Sequence, residues 1–298
     1  MESKGLVIKC VGGFYTVETA DERVICRARG RFRKDGVSPC AGDWVRVQME
    51  GDGSWVLTEI LPRKNHLVRP PIANLDCLFV VASLRDPAVN LALVDKTLAV
   101  AEINGIEPVV VFTKTDLGDP GLLTEIYRLA RINCCAVCSE RGEGIRQVRE
   151  LAAGKVSAFI GNSGVGKSTL LNAVFPGLEL ETGEISRKLG RGRHTTRHVE
   201  FYPLPEGGYA ADTPGFSTFD VERYQLTDTE QLVKGFREIE RFSGDCQFTT
   251  CSHTCEKGCA VLCAAKEGKI AKSRVENYGA MYQEIKGVKK WEQKSKHV

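Results

Sequence analysis

Residues 155–169, KVSAFIGNSGVGKST, decide the fold of this 298-residue chain. The apolar run 155–161 predicts a buried strand, the pattern Gly-x4-Gly-Lys-Ser follows it, and residues 167–175 predict the next helix. Glycines at such a turn let backbone N–H groups wrap phosphate groups, and the N-terminus of the helix adds the positive end of its dipole. The stretch therefore predicts a nucleotide-phosphate loop in an α/β domain.

Nucleotide binding is assigned to every residue of this loop, namely Gly161, Asn162, Ser163, Gly164, Val165, Gly166, Lys167, Ser168 and Thr169. The ammonium group of Lys167 is expected to reach the β- and γ-phosphates and to assist catalysis, and the Ser168 hydroxyl is expected to ligate Mg²⁺. Asp212-Thr213-Pro214-Gly215 follows a later strand. There Asp212 suits an outer-sphere hold on Mg²⁺, and the Gly215 amide can meet the γ-phosphate.

A base-recognition motif lies earlier in the chain, at Thr113-Lys114-Thr115-Asp116. The Asp116 carboxylate can accept hydrogen bonds from the two donors on the edge of guanine, whereas it repels the acceptor that adenine presents there. Thr113 replaces the commoner Asn of this motif, and Cys138-Ser139-Glu140 stands in place of Ser-Ala-Lys behind the base. Because the phosphate loop comes first in ordinary GTPases, this order predicts a circularly permuted GTPase.

The polar loop 185–197 lies where a first switch segment belongs. Thr195 is expected to close on Mg²⁺ and the γ-phosphate, with Thr196 as the alternative. Phe216 occupies the position of the usual water-orienting glutamine, and phenylalanine cannot orient a water molecule. His194 is therefore the candidate for that catalytic role, and a plain basic-loop residue is the alternative interpretation.

Short strands punctuated by Gly and Asp fill residues 1–66, which form the first predicted domain. Five apolar or alternating runs fit a small Greek-key barrel of the OB type, with an SH3-like barrel as the alternative. Residues 61–66 are interpreted as a linker, which ends at Pro70-Pro71. A basic cluster around Arg27 and the aromatic residues Phe14, Tyr15, Phe32 and Trp44 suit either an RNA-binding face or the barrel core.

Strands and helices alternate in the second predicted domain, residues 72–221. Strands are expected near 76–82, 107–113, 134–138 and 155–161, and helices near 91–104, 121–132 and 167–175. This alternation indicates a mostly parallel sheet that is covered on both faces. Residues 222–298 are expected to form a helical third domain that ends in a basic helix from about residue 268.

Five of the 12 cysteines fall between residues 246 and 263. The spacing Cys246-x4-Cys251-x-His253-x5-Cys259 offers a Cys₃His set for one structural Zn²⁺, and Cys255 or Cys263 can replace a member of that set. Free buried cysteines are the alternative. The absence of a secretory signal favours reduced thiols over disulfides.

The lack of an apolar run of about 20 residues and of a signal-peptide run in residues 1–10 predicts a cytoplasmic protein that does not enter a membrane. The net charge of +3 is mild, so the chain as a whole is not a polycation. The basic C-terminal region and the cluster near Arg27 suit contact with a phosphate backbone or an acidic partner, and solvated charged surfaces are the alternative interpretation of each.

Together these motifs resemble the bacterial family of ribosome small-subunit-dependent GTPases A (RsgA, also called YjeQ). The resemblance rests on the barrel, the order of Thr113-Lys-Thr-Asp before the phosphate loop, the Arg-His-Thr-Thr loop, Asp212-Thr-Pro-Gly-Phe and the Cys/Cys/His/Cys set. It implies an OB-fold domain, a permuted GTPase and a helical zinc domain. It also implies late maturation of the 30S subunit, GTP hydrolysis stimulated by that subunit and promoting release, and a role for His194 in activating water. We expect a monomer that binds GTP, GDP and the rRNA of the small ribosomal subunit.

Two other functions fit parts of the pattern. A P-loop ATPase or kinase with a zinc module would share the phosphate loop but not the guanine selectivity of Asp116. A non-enzymatic RNA-binding protein would use nucleotide only as a structural ligand.

Overall fold

The computed structural model describes residues 2–30, 32, 36–178, 180, 199–213 and 228–295, with side chains as far as residue 287. In this part of the chain no helix has the length and apolar character that a membrane span needs.

A closed barrel is formed by the first five strands: β1 (Glu2–Val11), β2 (Phe14–Thr19), β3 (Arg23–Ala28), β4 (Trp44–Met49) and β5 (Trp55–Ile60). The strands pair in the order β1-β2-β3-β5-β4, and β4 pairs back to β1. The β3–β5 pair is parallel, so the strands do not simply run up and down. This closed Greek-key order confirms the OB-type interpretation. Alternate residues such as Val7, Val17 and Leu57 fill the barrel interior.

The predicted linker is more ordered than expected. After Leu61 the chain forms a small hairpin from β6 (His66–Val68) and β7 (Pro71–Ala73), with a cis peptide bond between Arg69 and Pro70. The Arg63 guanidinium donates to both oxygens of the buried Asp43 carboxylate, at 2.6 and 2.7 Å. The segment between the first two domains is therefore tied to the barrel by a charged, largely buried pair.

The central sheet contains β8 (Cys77–Ser83), β9 (Glu107–Thr113), β10 (Asn133–Ala136), β11 (Val156–Gly161), β12 (Glu200–Pro203) and β13 (Tyr209–Asp212). Its order is β10-β9-β8-β11-β13-β12, and every pair except β12–β13 is parallel. The parallel α/β sheet predicted from the alternating pattern is thus confirmed.

Helices cover both faces of this sheet: α1 (Leu91–Ile103), α2 (Gly121–Leu129), α3 (Ile145–Ala152) and α4 (Lys167–Val174). Successive residues of a strand point to opposite faces. In β8, Leu78 and Val80 belong to the apolar cluster that includes α1, whereas Phe79 and Val81 belong to the cluster that includes α3 and α4. Both faces of the strand are buried, which explains its unbroken apolar sequence.

Helix α2 is shorter than the predicted 121–132. Arg131 adopts a left-handed backbone with φ of 57°, which ends the helix after the Ala130 cap. The turn directs the next residue, Ile132, into the core.

Four helices follow the last described strand: α5 (Thr229–Lys234), α6 (Arg237–Ser243), α7 (Ala260–Lys266) and α8 (Lys272–Ser295). Apolar residues of these helices, including Phe236, Val261 and Tyr278, belong to the same buried cluster as Leu98 of α1. The C-terminal helices therefore extend the core of the central domain. The expected boundary at 221–222 lies outside the described residues.

The barrel and the central sheet are joined through β1. Lys9 pairs with Glu200 of β12, and its Nζ lies 2.6 Å from the Glu200 carboxylate. Val7 faces the barrel interior, whereas its neighbours Leu6 and Ile8 belong to the core of the central domain. One strand therefore contributes to two cores.

Candidate nucleotide and metal sites

The predicted nucleotide motifs meet at one edge of the central sheet. The register places Ser83 beside Thr113, Val81 beside Gly161, and Phe159 beside Asp212. The carboxyl ends of β8, β9, β11 and β13 are therefore aligned. Ligands of open α/β sheets bind in the crevice outside these ends.

The phosphate loop has the backbone that its glycines allow. Gly164 and Gly166 have φ angles of +85° and +84°, a left-handed conformation in which a side chain is strained. Helix α4 begins at Lys167, immediately after the second of them. Ser168 is half-buried in the first turn of α4, and Thr169 is exposed.

Lys167 lies against the end of β13. Its ammonium group donates hydrogen bonds to the Asp212 carboxylate and to the Thr213 carbonyl. Thr213 is in turn fixed to the neighbouring strand, because its hydroxyl donates to the Phe159 carbonyl at 2.8 Å. The cation and the carboxylate predicted for the phosphate–magnesium end thus lie in contact. Lys167 has the charge to exchange its partner for a phosphate group, and Asp212 has the charge to exchange its partner for Mg²⁺.

The base-recognition motif is hydrogen-bonded to the phosphate loop. The buried Thr113 hydroxyl lies 2.5 Å from the Val165 carbonyl and 3.3 Å from the Ala82 carbonyl. The Lys114 ammonium group donates to the Gly164 carbonyl at 2.9 Å and also to the carbonyl of Asp86. The base-recognition motif and the phosphate loop, which are 45 residues or more apart in sequence, are therefore joined by direct hydrogen bonds.

Asp116 lies in a short 3₁₀ turn, Thr115–Leu117, and its side chain is exposed. Next to it is Cys138, which is only 1% exposed and whose Sγ lies 3.5 Å from Asp116 Oδ1. Sequence reasoning placed Cys138 behind the guanine ring but did not anticipate this contact with the carboxylate. Sequence reasoning also missed the segment after β8, in which Pro87 accepts a 2.5 Å hydrogen bond from Ser83 and Asp86 binds Lys114. No motif marks that segment.

The predicted metal ligands converge. The ligand atoms of Cys246, Cys251, His253 and Cys259 all lie within 4.8 Å of one another. His253 Nδ1 lies 3.4 Å from Cys246 Sγ and 3.7 Å from Cys259 Sγ, and the two sulfurs are 3.9 Å apart. Tetrahedral Zn²⁺ with ordinary bond lengths requires ligand separations of roughly 3.6 to 3.8 Å, so the donor set fits this ion.

The two spare thiols lie outside that set. Cys255 and Cys263 are exposed, and the Cys263 thiol donates to Glu267 at 3.4 Å. The backbone N–H of Ala260 points to Cys246 Sγ at 3.4 Å, the kind of outer contact that orients a metal-bound sulfur.

Several predicted site residues lie outside the described part of the chain. They are the water-positioning candidate His194, the alternatives Thr195 and Thr196, and Gly215 with its neighbours Pro214 and Phe216.

The aromatic residues of the barrel divide into two kinds. Phe32 is buried, and Tyr15 and Trp44 are half-buried. Phe14 is 43% exposed, and the Arg27 guanidinium lies 4.6 Å from the centre of its ring. Among these candidates, Phe14 with Arg27 offers an exposed ring and a cation on the same surface.

Comparison with known proteins assigns the site to a family. A family model described as "RsgA GTPase" matches residues 60–222, and one described as "RsgA N-terminal domain" matches residues 4–56. A relative from Caldanaerobacter subterraneus subsp. tengcongensis, "Small ribosomal subunit biogenesis GTPase RsgA", is 42% identical over 286 residues, which cover 95% of this chain and 96% of the relative.

Solved structures agree over the same length. YjeQ from Thermotoga maritima superposes with a TM-score of 0.79 at 34% identity and covers 96% of this chain and 99% of its own. YloQ, titled "a circularly permuted GTPase", has a TM-score of 0.77 at 34% identity and covers 96% of both chains.

Proposed function

The chain belongs to the RsgA GTPase family and is a GTP hydrolase, and we propose that it acts in biogenesis of the small ribosomal subunit. Its GTPase is stimulated by that subunit, and hydrolysis promotes its release. One observation supports this function most directly. Thr113 and Lys114 hydrogen-bond to the phosphate loop that follows them in sequence, and this contact supports the assignment of both motifs to one guanine-nucleotide site.

Within this site the Asp116 carboxylate recognises guanine, and Lys114 covers the base. Lys167 binds the β- and γ-phosphates, and Ser168 and Asp212 are the residues that would hold Mg²⁺. The metal supplies charge neutralisation at the phosphates when it is bound. The present contact between Lys167 and Asp212 supports these roles, because it keeps both charged groups beside the first turn of α4.

The remaining part of the reaction is assigned to the segments on either side of β12 and β13. Thr195 would help to hold Mg²⁺, the Gly215 amide would bind the γ-phosphate, and His194 would position the attacking water. Position 216 carries phenylalanine and not the usual water-orienting glutamine, which favours slow GTP turnover in the free protein.

His194→Ala should lower GTP turnover and leave GTP affinity near wild type. Unchanged turnover would remove His194 from the mechanism.

One structural Zn²⁺ is assigned to Cys246, Cys251, His253 and Cys259. Four protein ligands leave no open coordination position, so the ion would organise the segment between α6 and α7 and take no part in hydrolysis.

The barrel and the basic C-terminal helix are assigned to rRNA contact. Phe14 and Arg27 can stack on a base and bind its phosphate from the same surface. Binding through phosphates should weaken steeply with salt. We further propose that the protein is a cytoplasmic monomer.

The experiment that tests this function is GTP turnover by the purified protein with and without isolated small ribosomal subunits. Stimulation by the subunit, and loss of subunit binding after hydrolysis, are expected. Absence of stimulation by the subunit would contradict the ribosomal role but would not contradict the assignment of GTPase activity. Competition by ATP as effective as by GTP would contradict the assignment of Asp116.

A further inference from the structure

The carboxylate of Asp116 has an unusual neighbour. Cys138 Sγ lies 3.5 Å from Asp116 Oδ1, within reach of a thiol hydrogen bond, although the Asp116 side chain is otherwise exposed to solvent. A thiol is a weak, neutral donor, so it can orient a carboxylate without cancelling its charge. An ionised carboxylate offers about four acceptor positions, and most of them stay open for a ligand.

The backbone holds the thiol in a fixed position. Cys138 exchanges two hydrogen bonds with Glu143, both of 3.1 Å, and the preceding Val137 donates to Phe112 of β9 at 2.7 Å. The Thr115 amide donates to the Val137 carbonyl at 3.4 Å. The segment that follows β10 is therefore attached to the turn that carries Asp116, and this attachment holds the Cys138 backbone beside that turn.

From this geometry we propose that Cys138 is a positioning residue for base selectivity, acting through Asp116. Its thiol fixes the rotation of the carboxylate so that one oxygen faces the ring N–H of guanine and the other faces the 2-amino group. Without the thiol the Asp116 carboxylate rotates. It still reaches the ring N–H of guanine, but it loses alignment with the 2-amino group. The inference rests on the proposed role of Asp116 in guanine recognition.

Hypoxanthine separates the two donors, because it has the ring N–H and lacks the 2-amino group. The ratio of the dissociation constants for IDP and GDP therefore measures the alignment of Asp116, whereas a general loss of structure weakens both nucleotides alike. We expect Cys138→Ala to lower this ratio roughly 3- to 10-fold, the effect of one modest hydrogen bond, mainly by weakening GDP.

Two variants complete the experiment. Cys138→Ser keeps a donor and should keep the ratio within about twofold of wild type, because its hydroxyl can replace the thiol. Cys134→Ala removes a half-buried thiol from β10, the strand that precedes Cys138, and should leave the ratio unchanged. Affinities are measured by displacement of a fluorescent GDP analogue, with circular dichroism to check folding.

Three outcomes would overturn the inference. The first is a wild-type ratio of the IDP and GDP dissociation constants in folded Cys138→Ala, and the second is a ratio as low as that expected for Cys138→Ala in folded Cys138→Ser. The third is that Cys138→Ala lowers the ratio by the same factor in protein that already carries Asp116→Ala as in wild type. If Cys138→Ala does not fold, Cys138→Val takes its place, because it fills the buried site without supplying a donor and should lower the ratio in the same way. Failure of the underlying assignment is recognised separately, because wild-type protein would then bind ADP as tightly as GDP.

Discussion

The hydroxyl of Thr113 lies between the two halves of the nucleotide site and donates to the Val165 carbonyl at 2.5 Å. The commoner asparagine at this position has a longer side chain, so a threonine can serve only because β9 ends close to the phosphate loop. Gly166 shows how close: a Cβ atom there would lie 3.8 Å from the Thr113 hydroxyl. The motif itself predicted a residue that braces this loop, but only the register of the strands reveals which carbonyl it contacts.

Thr113→Val should weaken GDP binding roughly fivefold, because it removes this hydrogen bond and leaves a buried carbonyl without its donor, at a cost of about 1 kcal/mol. Thr113→Ser keeps the hydroxyl and is the matched control, expected near wild type. Isothermal titration with GDP measures both. Equal affinities of the valine and serine variants would show that the hydroxyl does not support nucleotide binding.

At the scale of elements, the contact between α8 and α1 depends on a buried charge cluster. Arg274 is fully buried and donates to Asp95 of α1 at 2.7 Å and to Glu238 of α6 at 2.6 Å. Its guanidinium also lies 4.4 Å from the centre of the Phe236 ring. A buried arginine is held only when its charge is paired and its donors are used.

Arg274→Met should destabilise the protein by about 3–5 kcal/mol, because two carboxylates remain buried without their cation. Adding Asp95→Asn and Glu238→Gln should recover much of that loss, since the amides carry no charge. Urea denaturation measures these changes. Lys272→Met is the matched control on the same helix, because its pair with Glu276 is mostly exposed and should contribute little. A destabilisation by Arg274→Met no larger than that of the control would contradict the role of the buried pair.

The segment between α6 and α7 is the second element that a few side chains organise. Cys259→Ser should reduce zinc content below the one ion per chain expected for wild type, because a neutral hydroxyl is a poor zinc ligand. Plasma mass spectrometry on desalted protein measures the metal. Cys263→Ser should retain the ion, since Cys263 lies outside the ligand group. Wild-type protein without zinc would refute the metal assignment.

At the scale of the whole molecule, the barrel has an interior of its own, whereas the C-terminal helices share one buried cluster with the central sheet. GDP at about 100 times its dissociation constant stabilises the binding-competent fold by about 2.7 kcal/mol. We therefore expect GDP to slow amide hydrogen exchange in α8 as well as around the phosphate loop, with a smaller effect on β2 and β3. Mass spectrometry of exchanged peptides measures this, and unchanged exchange in α8 would contradict the shared core.

Much of this arrangement could be predicted from sequence, for reasons that differ between regions. The strands β8, β9 and β11 are buried on both faces, so their apolar runs marked them clearly, and the motif spacing gave the permuted fold. The hairpin at 66–73 was missed because Pro70 and Pro71 suggested a linker, whereas Pro70 lies in the turn of the hairpin and Pro71 begins β7. The contacts of Arg274 and Cys138 depend on elements that meet only in the folded chain. The His194 and Gly215 assignments stay predictions.

The pairing of β1 with both the barrel strands and β12 also imposes an order on folding while the chain is being synthesised. All five strands of the barrel have left the ribosome once residue 60 has emerged. The barrel can therefore close early, because its strands lie close together in the sequence. The partner of β1 in the central sheet, β12, arrives about 190 residues after Lys9. Arg274 emerges later still. Until then the growing chain carries Asp95 and Glu238 without their cation, so the central core is completed only near the end of translation.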